Sequence, residues 1–147
     1  MIKVEVGPAD FDIGSETLDV SRQGGGAIAS FVGQVRDDGN LKTLELEHYP
    51  AMTQKALQEI AETARSGWPL HAVTIIHRVG KLSVGENIVL VVTGSDHREA
   101  AIESCSFIMD RLKTVAPFWK KETRADGATK WIEARDSDRA AAEKWKK

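Results

Sequence analysis

The order of elements in this 147-residue chain predicts an α+β fold with a mainly antiparallel sheet and packed helices. Three observations carry that prediction. Residues 71–79 and 87–95 are β-branched runs separated only by a segment punctuated with Gly80 and Gly85. Residues 27–35 and 41–49 flank Asp37-Asp38-Gly39-Asn40, a run of turn formers that reads as the tip of a hairpin. Two stretches with helical spacing, 51–65 and 98–115, fall between the strand pairs. Strands that arrive in pairs argue against a doubly wound parallel fold, in which strands and helices alternate.

Taken in order, Ile2, Val4 and Val6 alternate with Lys3 and Glu5, so a first strand is expected before Pro8. Ser15 opens a stretch expected to make one or two helical turns. Gly24-Gly25-Gly26 reads as a break or flexible loop. In 41–49, Leu44, Leu46 and His48 share one face, and Glu45, Glu47 and Tyr49 the other. Met52, Ala56, Leu57, Ile60, Ala61 and Ala64 form one helical stripe, ended by Trp68-Pro69. Ala101, Cys105, Ile108 and Leu112 form the next, stopped at Pro117. Short strands are expected at 118–123 and 130–133 around Asp126-Gly127, then a terminal helix over 138–145. A single domain over residues 1–147 is expected.

Composition narrows the function classes. The net charge of -2 argues against bulk attraction to nucleic acid or an anionic membrane. One cysteine, Cys105, permits neither an intramolecular disulfide nor a cysteine metal cage, and its place mid-stripe reads as core filler. The four histidines have no metal-ligand spacing, so no protein-bound metal or resident cofactor is expected. Trp68, Trp119, Trp131 and Trp145 are scattered, as packing residues are. The N-terminus lacks the apolar core of a signal peptide and no run reaches transmembrane length, so a cytoplasmic protein is expected.

Three clusters carry candidate chemistry. Asp96 and Glu99 have the spacing of a capping box, which would place His97 and Arg98 in a first helical turn, where backbone N–H groups and the helix dipole favour an anion. A surface arginine paired with Glu99 is the bland alternative. Arg36 ends an apolar strand, where its guanidinium could clamp a phosphate or carboxylate; Gly33 within that strand hints at a bulge or close approach. In KTVAPFWKKE, Lys113 borders the apolar stripe beside Met109, and the chain then turns at Pro117. An extended segment from Phe118 puts Lys120 on the face of Phe118 and Lys121 on the face of Trp119, so one lysine faces a site and the other faces outward. Lys113 and Lys120 could meet across the turn, each with a lowered pKa, as proton donor, base or nucleophile. Three lysines on a wet surface is the alternative.

The strings GAIASFVGQVR, LELEHYPAMTQKAL, IIHRVGKLSVGE, SDHREAAIES, IMDRLKTVAPFWKKE and KWIEARD, in that order, resemble the large catalytic subunit of molybdopterin synthase over nearly the whole chain. The resemblance implies an α+β fold of hammerhead type with a short β subdomain. It also implies a sulfurtransferase of molybdenum cofactor biosynthesis. That family installs two dithiolene sulfurs in cyclic pyranopterin monophosphate, delivered as the C-terminal thiocarboxylate of a ubiquitin-like small subunit ending in Gly-Gly. The implied assembly is a heterotetramer around a homodimer of large subunits. By motif, the resemblance assigns Lys113 and Lys120 to catalysis, and Arg36, His97 and Arg98 to the substrate anion. It places Lys121 at the rim, Phe31 and Met109 along the pocket, and Arg135 in reach from the neighbouring large subunit. Gln34 stands where some members carry a basic residue, and Ile102 where an aromatic is often seen. A non-catalytic module that only receives an acidic or carboxylate tail is the rival reading. An RNA-binding α+β domain fits less well, for want of net positive charge and an aromatic-basic stripe.

Overall fold

In a computed structural model of the chain, residues 1–115, 118–132 and 145 are described. The elements run β1 (Ile2–Gly7), α1 (Ile13–Ser21), β2 (Ala27–Gln34), β3 (Leu41–His48), α2 (Pro50–Gly67), β4 (Leu70–Arg78), β5 (Gly80–Ser83), β6 (Asn87–Ser95), α3 (Arg98–Thr114), β7 (Phe118–Arg124) and β8 (Thr129–Ile132). They form two four-stranded sheets, ordered β1-β4-β6-β2 and β5-β3-β7-β8. Every pairing is antiparallel except β1 with β4. This is the α+β, mainly antiparallel architecture expected, with the second sheet as the small β subdomain. The expected terminal helix over 138–145 and the helix stop at Pro117 lie outside the described residues, apart from Trp145.

The large sheet buries both faces. Val73, Ile75, Val89 and Val91 point toward α2 and α3, and meet Leu57, Ile60, Ala61, Ala64, Cys105, Phe107, Ile108 and Leu112. Ala72, Ile76, Leu90 and Val92 point the other way and pack with Val20 of α1. Two-sided burial explains why β4 and β6 read as nearly continuous apolar runs. Each fully buried aliphatic side chain contributes roughly 1.5–3 kcal/mol, so this sheet dominates the stability of the fold. Cys105 is buried, as core filler, and burial pushes its thiol up to about 11. Trp68 packs on Phe107 at 5.3 Å and on Trp145 at 5.8 Å.

The 27–35 and 41–49 strands do not form a hairpin with each other. β2 pairs with β6 in the large sheet, and β3 pairs with β5 and β7 in the small one. The register of β2 shifts at Gly33/Gln34, and Val35 then turns into the small core with Leu44, Leu46 and Leu82. The Val35 N–H donates to the Glu86 carbonyl at 2.9 Å and its carbonyl accepts from the Gly85 N–H at 2.9 Å, fixing the crossing between sheets. β5, only four residues, was hidden in the glycine-punctuated link. The first helix is also longer than one or two turns. α1 has nine residues and is capped by Asp12, whose side chain accepts from the Ser15 N–H at 2.8 Å.

Candidate active site

Period-2 geometry separates the two adjacent lysines. Along β7, Phe118, Lys120 and Glu122 stand opposite His48, Leu46 and Leu44 of β3, on the inner face of the small sheet. Trp119 and Lys121 stand opposite Glu47 and Glu45, on the outer face. Lys120 is half-buried between Leu46 on one side and Ile132 of β8 on the other. Lys121 lies instead with its ammonium 5.9 Å from the Trp131 ring centroid. The division into one inward and one outward lysine is therefore present.

The sequence reading passed over His77, which lies near enough to Lys120 and to Lys113, in the last turn of α3, for their charges to bear on it. This imidazole ends the inward stripe Val73, Ile75, His77 of β4 and stacks on Phe118, with ring centroids 3.8 Å apart and planes 18° apart. Its Nδ1 lies 2.8 Å from the Arg78 carbonyl oxygen. A carbonyl only accepts, so Nδ1 carries the proton and Nε2 the lone pair. Burial, with smaller contributions from the charges of Lys120, Lys113 and His48, pushes the His77 pKa down to about 4. The ring is therefore neutral in the folded protein near pH 7. In the unfolded chain it titrates at the ordinary 6.5. Between those values the unfolded chain binds the extra proton, so the stability His77 supports is complete above pH 6.5 and lost as pH falls toward 4. The linkage is worth about 2 kcal/mol by pH 5. Urea unfolding at pH 7.5 and 5 should show the wild-type protein losing about that much more than His77→Phe.

The other predicted residues divide between two ends of the molecule. Gln34 pairs with Asn87 at the start of β6, so Arg36, two residues on, is at that end. Lys113 is there too, since it acts on His77, whose partner on β6 is Val89. Met109 packs partly buried on the main core one helical turn before Lys113. Phe31, opposite Val91, is on the helix-covered face of the edge strand β2 and is 42% exposed. His97 and Arg98, by contrast, start α3 beside Ser95, at the far end of β6. Arg98 and Lys113 are separated along α3 by about 22 Å at ~1.5 Å per residue. Arg36, His97, Arg98 and Lys113 are exposed, and none takes an ion pair or side-chain hydrogen bond among the described residues. Arg135 lies outside the described residues.

Two local expectations are corrected here. His97, not Asp96, is the N-cap of α3, with extended backbone and no side-chain cap. Asp96 is drawn away by His71, whose Nε2 lies 2.6 Å from its Oδ1; that hydrogen bond holds the Asp96 carboxyl below the usual carboxylate range. Two of the tryptophans lie on the surface rather than in the core. Trp119 and Trp131, 41% and 53% exposed, line an open cleft of about 310 Å³ with Glu47, His48 and Tyr49, and the Tyr49 and Trp119 rings meet edge-on at 4.6 Å. Gln34 has a structural use: its Nε2 donates to Asn87 Oδ1 at 2.9 Å, and Asn87 Nδ2 donates to Asp10 Oδ1 at 3.1 Å. Among the described residues no group of His, Cys, Asp and Glu could hold a metal ion.

The molecule is a two-sheet α+β protein in which Arg36 and Lys113 lie toward the Asn87 end of β6. The sequence profile of one family, described as MoaE protein, matches residues 6–115. The molybdopterin synthase catalytic subunit of Salmonella typhimurium is 50% identical over 97% of both chains. The molybdopterin biosynthesis MoaE protein from Burkholderia ambifaria superposes with a TM-score of 0.85 at 47% identity, over 99% of this chain and 98% of that one. Molybdopterin synthase from Staphylococcus aureus superposes with a TM-score of 0.79 at 29% identity, over 87% and 95%. The chain belongs to the MoaE protein family.

Proposed function

We propose that the chain is the catalytic subunit of a molybdopterin synthase. In this reading it is a cytoplasmic sulfurtransferase that moves two sulfurs, one at a time, from the C-terminal thiocarboxylate of a ubiquitin-like small subunit to cyclic pyranopterin monophosphate. The likeness to named catalytic subunits along nearly the full length of both chains carries this reading. That the charges of Lys113 and Lys120 both bear on the buried His77 supports its site. The thiocarboxylate sulfur bonds to a carbon of the pterin side chain as the C–O bond at that carbon breaks, and Lys113 and Lys120 move the protons, one of them to the departing oxygen. The acyl carbon of the carrier takes its new oxygen from water and leaves as a carboxylate, and the same ammonium groups stabilise the oxyanion formed on the way. Arg36 clamps the substrate phosphate, Phe31 and Met109 line the pocket, and Lys121 stands at its rim.

The placement of His97 and Arg98 supports the assembly. They lie too far along α3 from Lys113 to hold the same small phosphate within one chain. A second copy can supply them, which fits a homodimer of large subunits inside a heterotetramer, with Arg135 reaching across in the same way. A clamp built from two chains would also retain the half-sulfurated intermediate while the small subunit exchanges. The test is to mix this protein with a thiocarboxylated small subunit and cyclic pyranopterin monophosphate and follow dithiolene-containing pterin by mass. Product is expected only with all three present. No product, with the small subunit still bound, would leave a partner-binding module and end the catalytic reading.

A further inference from the structure

His77 is 8% exposed, and its ring is held by a flat aromatic neighbour and by a backbone carbonyl. It stands between Val6 of β1 and Val89 of β6 in the large sheet. Phe118, the first residue of β7, lies flat against it. Lys120 of β7, Lys113 of α3 and His48 of β3 are the charged or titratable groups that act on it, and His48 is the β3 partner of Phe118. Arg78, next along β4, is occupied elsewhere. Its Nε and Nη2 donate to the Pro8 carbonyl at 3.2 and 3.1 Å, and its Nη1 to the Asn87 carbonyl at 3.0 Å.

We propose that His77 is a positioning residue for Lys120: stacked on Phe118, it fixes the start of β7 against the large sheet and so sets where the Lys120 ammonium is held relative to Lys113. The proposal rests on the synthase reading for its catalytic consequence, but not for its structural one. Phe118 packs against the core of the large sheet, and its stack on His77 fixes the plane of the ring there, two residues before Lys120 on the same face of β7. An aromatic ring is required for the stack; the hydrogen bond to the Arg78 carbonyl orients the imidazole within it.

His77→Phe and His77→Ala separate these roles. In the complete assay with small subunit and cyclic pyranopterin monophosphate, His77→Ala should lower kcat at least tenfold with KM changed less than threefold. His77→Phe should hold kcat within threefold of wild type. Amide hydrogen exchange over residues 118–122 should quicken in His77→Ala and stay near wild type in His77→Phe, whatever the reaction proves to be. Wild-type protein inert in the assay would end the synthase reading, and the exchange data would still decide the positioning role. A kcat within twofold of wild type in His77→Ala, unchanged exchange in that variant, or equal losses in both variants would overturn the proposal.

Discussion

Replacing Lys113 with alanine should lower product formation at least about a hundredfold, the usual scale for removing a proton-transfer group, while the small subunit still binds and the fold is retained. The side chain is exposed in the last turn of α3 and takes no ion pair among the described residues, so little structure depends on it. Its charge is worth a few tenths of a kcal/mol to about 1 kcal/mol against the helix dipole, and alanine returns part of that through helix propensity. Lys113→Arg tests the chemistry apart from the charge. Guanidinium keeps the positive charge but does not release its proton near neutral pH. If Lys113 only attracts the phosphate, Lys113→Arg should restore most of the rate. If it transfers a proton, the arginine variant should stay close to the alanine one, with binding of the pterin phosphate largely preserved. Near-normal turnover in Lys113→Ala, measured as dithiolene-containing pterin, would remove Lys113 from the mechanism altogether.

What was legible in the sequence follows from which signals are local. The β-branched runs of β4 and β6 and the apolar stripes of α2 and α3 report burial directly, because the period of the apolar residues is the period of the element. The split of Lys120 from Lys121 was legible for the same reason, since strand alternation needs no knowledge of the partner strand. Pairing is a different matter. Asp37 to Asn40 carries the chemistry of a hairpin tip, yet Val35 takes its backbone partners from Gly85 and Glu86 and leads the chain into a second sheet. Nothing within 27–49 encodes that choice. Asp96 and Glu99 keep the spacing of a capping box, but His71, twenty-five residues earlier, competes for the Asp96 carboxylate. His77 was invisible as a site residue because its role comes from Phe118, Lys120, Lys113 and His48, which lie on three other elements. The family likeness assigns Lys113 and Lys120 to catalysis; only the fold shows that Phe118, two residues before Lys120, stacks on His77, and how far His97 and Arg98 stand from Lys113.

Gly26→Ala should be the most damaging single methyl group that can be added near the candidate site, with a loss of about 3 kcal/mol or more. Gly26 has φ +129°, a conformation that L side chains rarely adopt, so any substitution begins with backbone strain. A Cβ there would also sit 2.1 Å from the Asp96 carbonyl oxygen and 2.6 Å from its carbon, and a backbone cannot swing aside as a side chain can. Relief would require separating β2 from the end of β6, where Ala27 pairs with Ser95, or displacing the residues that lead into α3. Either route moves Asp96, and with it His97 and Arg98. For a chain of this length the loss corresponds to a fall of roughly 6–12 °C in Tm. Gly25→Ala is the control, because a Cβ there meets nothing within 4 Å and its φ is not in the left-handed region. It should stay within about 0.5 kcal/mol of wild type. The two variants differ by one position and the same added atoms, so thermal unfolding of both separates the strain and the Asp96 contact at Gly26 from any general cost of stiffening the loop. If Gly26→Ala held enough fold at low temperature, weaker binding of pyranopterin phosphate with Lys113 still in place would tie the His97 and Arg98 end of α3 to the anion. Equal unfolding curves for the two variants would mean that β2 and the start of α3 can part without cost, and the close approach at Gly26 would then have no part in shaping the site.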